Sequence, residues 1–267
     1  METKKILFIC QDIFPYAPET LASTICRQLP QYAVEQGVEV RIFMPCFGIV
    51  NERRYQLHEV QRLSGLNLII SDNDHQLIIK VASIQSARMQ VYFIDNYDYF
   101  RRKAIDRDEE GKGFDDNDER MIFYTRGVLE TMKKLRWVPD IIQCNGWMTS
   151  LAPLFIRRAY RTDPFFKDAK VFYSINDDNF EFSINKSFEE KLVQSKITDT
   201  DIKLLTSGTI NWEAMTKLAI EYSDGVIQGS PNMDEQWVDY VKKTGKNFKP
   251  YNEDFKENFF SVYREYL

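Results

Sequence analysis

At 267 residues the chain is long enough for one large α/β domain or two small ones, with an ample core. An apolar fraction of 43%, a charged fraction of 28% and a net charge of −5 describe an ordinary globular protein and argue against a general nucleic-acid or anionic-membrane surface. No apolar run approaches the roughly 18 residues a bilayer span needs, and the run of five near the N-terminus is too short for a secretory segment, so cytoplasm is the expected compartment.

In chain order, 4–10 reads as a buried strand, 20–36 as a helix closed by Gly37, and 38–45 as a second strand stopped by Pro45. That is a βαβ opening. A β-rich stretch follows at 57–63, 66–70, 75–84 and 89–94, with polar turns between, which predicts antiparallel hairpins inserted into a parallel sheet. Residues 101–120 are mostly charged with both signs mixed, and read as a solvated loop or, more pointedly, as a binding surface.

An acidic start then leads into an apolar helical pattern that Pro139 ends. The strand 140–144, the helix 147–160, the strand 170–175, the helix 211–222, the strand 225–229 and a helix after Pro231 continue the alternation. An aromatic helical pattern closes the chain. The expected fold is a single Rossmann-like, doubly wound, mainly parallel sheet with an inserted β-hairpin region.

Chemistry-bearing motifs are few. Cys10, Cys26, Cys46 and Cys144 are scattered and form no C-x-x-C pair, so reduced structural thiols are expected and no metal site. His58 and His75 both stand in polar contexts, which supplies a histidine-based mechanism poorly. No Walker loop, G-x-S-x-G elbow or G-x-G-x-x-G occurs. Asp115 with Asp116, or Asp177 with Asp178, could suggest a glycosidase pair, but adjacent residues usually point apart and hydrolysis needs two groups flanking one bond.

The stretch "CQDIFPYAPET" after the first strand stands where an open α/β domain usually meets its ligand. Phosphate-binding loops at that position carry glycines and often a lysine. This one has neither.

Several segments together resemble the N-terminal domain of bacterial glycogen and starch synthases, ADP-glucose-using glucosyltransferases built from two Rossmann-like halves. They are "KKILFICQDIFPYAP", "QLPQYAVEQGVEVRIFMPCFG", "VYFIDNYDYF", "FDDNDERMIFYTRGVLETMKKLRWVPDIIQCNGWMTSLAP", "KVFYSIN" and "INWEAMTKLAIEYSDGVIQGSP". The resemblance implies half of a GT-B architecture and a role in α-1,4-glucan metabolism, with no cofactor. It also implies a domain over 1–250 and, at 251–267, a C-terminal helix packing back on it. Such a segment would cover apolar surface that a second domain otherwise hides; an ordinary amphipathic terminal helix fits the pattern equally.

The family's functional motifs are altered. Where it places Lys-x-Gly-Gly-Leu, this chain has Pro18, Glu19, Thr20, Leu21 and Ala22. Its His-Asp-Trp is replaced by Asn145, Gly146 and Trp147, and its His-Asn by Ile175 and Asn176. Pro18 lacks an N–H, and Glu19 would bring a negative charge towards a diphosphate at a cost of roughly 4 kcal/mol per charge pair at about 4 Å. In the resembled family a second domain carries most of the nucleotide-sugar site, and these 267 residues are expected to correspond to the first half only.

The reading that results is a sugar- or glucan-binding cleft formed by Glu19, Thr20, Asn145, Trp147, Asn176 and Asp177, with Asp178 beside them. Maltooligosaccharide or glycogen is the expected ligand. The domain is expected to be inactive in transfer on its own, with a non-catalytic glucan-binding or regulatory protein as the alternative. A protein partner or self-association at the strand-end face would supply a missing half. Each residue also has a plainer role: Glu19 and Thr20 begin a helix, Trp147 packs, Asn176 ends a strand, and Phe180 and Phe182 anchor the loop after it.

Overall fold

The computed structural model describes residues 3–206 and 208–267. From β1 (Lys5–Cys10) the chain passes through α1 (Leu21–Glu35) into β2 (Glu39–Pro45), then β3 (His58–Glu59), β4 (Leu66–Ile70), β5 (Asn73–Ile84) and β6 (Met89–Asp95). The short α2 (Tyr97–Phe100) and the long α3 (Asn117–Leu135) lead to β7 (Ile141–Asn145), α4 (Leu151–Arg157) and β8 (Lys170–Ile175). Then come α5 (Phe188–Gln194), α6 (Lys203–Thr206), α7 (Trp212–Tyr222), β9 (Gly225–Gln228), α8 (Glu235–Thr244), β10 (Asn247–Lys249) and α9 (Phe255–Arg264).

The strands form one sheet in the order β10-β9-β8-β7-β1-β2-β6-β5-β3, with β4 paired to β5. All pairings from β10 to β6 are parallel, and β5 runs antiparallel to β6, β4 and β3. This is the expected doubly wound sheet with a hairpin insertion. β1 is central, and Ile6 to Cys10 are all 0% exposed, which is why a continuous apolar run and not an alternating one marks it.

Right-handed crossovers place α1 on one face and α4, α7 and α8 on the other. Trp212 of α7 meets Trp237 of α8 edge-on at 5.3 Å. α9 returns to the α1 face: Phe260 packs edge-on against Tyr32, and Tyr263 meets both Phe8 and Phe172. The Tyr263 hydroxyl donates to Gln143 Oε1 at 2.7 Å in the buried layer.

Some elements differ from the expected ones. Of 57–63 only His58–Glu59 pairs as a strand, although the Val60 N–H still donates to the Ile79 carbonyl. The helix expected over 147–160 divides into a 3-10 turn at Trp147–Thr149 and the short α4. The sequence pattern does not mark α2, β10, α5 or α6. β10 is three residues long and α6 four, too short for a period to register. α5 is held from outside itself: Lys191 Nζ lies 2.6 Å from Asp118 and 2.8 Å from Glu119 in the first turn of α3. Among the described residues no helix is long and apolar enough to cross a membrane.

Candidate functional site

The chain leaves β1 towards β2, while β7 stands on its other side, so a crevice opens at the carboxyl ends of β1 and β7. Two bonds fix its floor. The Gln11 N–H donates to the Asn145 carbonyl at 2.9 Å, and the Gln11 side-chain carbonyl accepts the Met148 N–H at 3.0 Å. Gly146 permits this approach, with φ at +90° and an added Cβ falling 2.7 Å from that of Gln11. Asn145 itself is 3% exposed, its amide nitrogen 3.9 Å from the Cys10 sulfur.

Trp147 stands beside this floor with its ring 0% exposed. The indole packs against Phe180 at 4.6 Å and Phe182 at 6.0 Å, and those two rings are themselves stacked at 4.3 Å. With no exposed ring surface and two aromatic neighbours, the Trp147 side chain serves packing, the plainer of its two expected roles. Its backbone matters instead: the Trp147 N–H donates to Asp178 at 2.7 Å, and the Trp212 indole N–H reaches the same carboxylate at 3.0 Å.

Thr20 is the N-cap of α1. Its hydroxyl accepts the Ser23 N–H at 3.0 Å while the Ser23 hydroxyl accepts the Thr20 N–H at 2.9 Å, a reciprocal capping box. Asn176 sits at the end of β8, 6% exposed. The turn after β9 must be glycine there, since a Cβ on Gly229 would fall 2.0 Å from Asn176 Oδ1.

These loops enclose a hollow of about 460 Å³. Thr20, Trp147, Asn176 and Asp177 line it, as does Asp178; Glu19 is exposed and, like the buried Asn145, lies outside its lining. A larger hollow of about 700 Å³ lies along α1. The smaller one is the candidate site because it gathers the ends of four parallel strands, β1, β7, β8 and β9.

Four carboxylates face the hollow, from Asp12, Asp106, Asp177 and Asp178, against a single guanidinium, Arg107. That guanidinium is already engaged. Its Nε lies 2.9 Å from Asp106 Oδ1 and its Nη2 3.0 Å from Oδ2, a two-pronged pair. Burial pushes the Asp12 carboxyl up to about 7, with the charge of Asp178 adding to the push. Burial likewise holds Asp178 up at about 6, although two N–H donors favour its charged form.

Asp12, Asp106 and Arg107 escape a reading of the sequence. Asp12 sits in the strand-end loop beside residues that draw more notice, and only the mixed charge of 101–120 points to the other two. A cluster elsewhere brings Cys46, Glu52 and Asp95 within 4.8 Å of one another. The Lys80 ammonium stands 2.7 Å from both carboxylates, and Arg101 bonds both as well, so side-chain cations already neutralise it. All four cysteines are free and buried.

The family model described as the starch synthase catalytic domain matches residues 5–245. The glycogen synthase of Chlorobium phaeobacteroides is 31% identical over 229 residues, covering 83% of this chain and 47% of its own length. That of Chlorobaculum parvum is 31% identical over 239 residues, covering 87% and 47%. The catalytic domain of starch synthase IV from Arabidopsis thaliana, described as bound to ADP and acarbose, is similar in fold with a TM-score of 0.74. It is 16% identical, and the match covers 93% of this chain and 51% of that one. The chain spans about half the length of the curated relatives it matches. With a sheet, a switch-point crevice and a family match that run together through most of its length, the chain belongs to the starch synthase catalytic-domain family.

Proposed function

We propose that the chain works in α-1,4-glucan metabolism as a glycogen/starch synthase-like glycosyltransferase domain. In this reading its strand-end cleft holds a neutral sugar chain and does not hold a sugar donor's diphosphate unaided. One observation carries the reading: four carboxylates and one already paired guanidinium line the hollow. A starch synthase of similar fold is described as bound to ADP and to acarbose. Of those two chemistries, this cleft suits the second.

Sugar hydroxyls both donate and accept, so they pair with a mixed set of amides, hydroxyls and carboxyls. Asp177 is exposed and offers acceptors, while Asn176 and Ser230 offer both roles. A carboxyl at about 7, as at Asp12, carries a proton it can donate to a sugar oxygen near neutral pH. A diphosphate needs the reverse environment, with cations and free N–H groups where charge develops. Pro18 has no N–H to offer, and the Glu19 side chain brings a negative charge where a cation is needed.

By itself, then, the domain is expected to bind glucan without extending it. Transfer would need cations supplied by another domain or partner, with the cytoplasm as its setting. The same charge balance favours the second reading, a non-catalytic glucan-binding or regulatory role. Radiolabelled ADP-glucose with a glycogen primer separates the two. Label entering polymer only with a partner supports the transferase reading, and no label under any pairing supports the binding role.

A further inference from the structure

The larger hollow, about 700 Å³, lies on the α1 face and is separate from the strand-end cleft. Its walls are the outer side of α1, the loop at Phe14–Tyr16, the turn at Arg54–Gln56, Ser83 and Ile84 at the end of β5, and Ser86 just beyond it. Its volume falls in the range of small-molecule sites, about 300–1,000 Å³.

The charge in this hollow is inverted relative to the rest of the chain. Arg27, Arg54 and Lys256 line it against one acid, Glu35, whose carboxylate accepts the Gln31 amide at 2.9 Å. Among the described residues none of the three cations is ion-paired with a carboxylate, although cations elsewhere in the chain are paired freely. Arg27 is the telling one. It is half-buried, yet its guanidinium donates only to neutral oxygens, Gln31 Oε1 at 2.8 Å and Ser86 Oγ at 3.4 Å. Burial lowers its pKa, so its desolvation is not offset by a counter-charge from the chain.

The surroundings say what else the ligand carries. Phe14 is 37% exposed at the rim, and Tyr16 and Tyr55 meet edge-on at 4.9 Å, with the Arg54 guanidinium 5.4 Å over the Tyr55 ring. Gln28, Gln56 and Ser83 add neutral donors and acceptors. Aromatic faces beside amides and hydroxyls suit the C–H and O–H groups of a sugar, and the uncompensated guanidinium suits a phosphate.

We infer that the groove along α1 is a binding site for a phosphorylated sugar, with Arg27 as the anchor for its phosphate. This site is independent of the cleft reading, since its ligand is anionic and its residues are different. The loop 11–20 nevertheless walls both hollows, through Gln11, Asp12 and Thr20 on one side and Phe14 to Tyr16 on the other.

The test is calorimetry with glucose 1-phosphate, glucose, inorganic phosphate and AMP, together with amide-shift mapping by NMR. Glucose 1-phosphate should bind, with glucose and inorganic phosphate each weaker by about tenfold or more, and Ser83 and Ser86 amides should shift. Arg27→Met keeps the apolar stem and removes the charge; it should weaken binding about tenfold with an unchanged circular-dichroism melt. Arg54→Gln, on the exposed rim, gives a second variant with little risk to the fold, and should also weaken binding. Asp177→Ala, in the cleft, should leave it unchanged. No binding by the native chain, undiminished binding by both arginine variants, shifts confined to the cleft, or phosphate or AMP binding as tightly as glucose 1-phosphate would each overturn the assignment.

Discussion

Asp106 and Arg107 are neighbours in sequence and form a two-pronged ion pair at the mouth of the strand-end cleft, at 2.9 and 3.0 Å. The pair offsets the charge of the cleft's single guanidinium: Asp106 stabilises its protonated form and takes up two of its five N–H donors. Asp106→Asn should release it. Pyrophosphate affinity, read by calorimetry, is expected to rise by about tenfold or more, with maltooligosaccharide affinity little altered. No gain for pyrophosphate would mean that Arg107 is not what the cleft lacks.

Asp12 gives a pH signature. Its carboxyl is at about 7 in the folded chain against an ordinary 3.8, so between those values the folded state binds the extra proton. Stability therefore falls as pH rises through that window. Asp12→Asn lacks this penalty. The variant should equal or trail the native chain near pH 4 and surpass it above about pH 7, by at least about 1 kcal/mol in urea unfolding. Parallel stability curves for the two proteins would show that Asp12 titrates normally.

Gly229 tests the placing of Asn176 at the cleft. A methyl added there falls 2.0 Å from the amide oxygen of Asn176 and 3.0 Å from the Ile175 carbonyl. Gly229→Ala should turn the Asn176 side chain away and weaken maltooligosaccharide binding several-fold, at a stability cost of about 1–3 kcal/mol. Unchanged affinity in a folded variant would remove Asn176 from the site.

The C-terminal helix is joined to the core by one buried bond, from the Tyr263 hydroxyl to Gln143 Oε1. Gln143 is 0% exposed, and its amide nitrogen is committed to Ser174 and the Cys144 carbonyl. Tyr263→Phe strands the Gln143 oxygen without a partner, and should cost about 1–3 kcal/mol, read as a lowered melting temperature. Ending the chain after Gly245 should cost far more, because Phe8 and Phe172 lose Tyr263 from that face. A near-native melt of the shortened chain would argue that residues 251–267 are dispensable to the domain.

The sequence disclosed the fold well because its signals are local and repeated. Apolar runs such as Ile6–Cys10 alternate with helices, and the β1–α1, β7–α4 and β9–α8 units are each written within about thirty residues. The site was less legible. Thr20, Asn176 and Asp177 could be placed at strand ends, but whether Trp147 presents a face depends on Phe180 and Phe182, more than thirty positions away. Asp106 and Arg107 reach the cleft from a charged loop that no period or motif marks. Their role follows from tertiary neighbours, not from spacing.

The most direct test of the cleft's preference is calorimetry of the folded chain with maltooligosaccharide and, separately, with ADP-glucose. Binding of the neutral glucan with no heat from ADP-glucose at the cleft is the expected result, the latter judged with the α1 groove disabled by Arg27→Met. Tight capture of ADP-glucose by that variant, with glycogen extended by the chain alone, would contradict it.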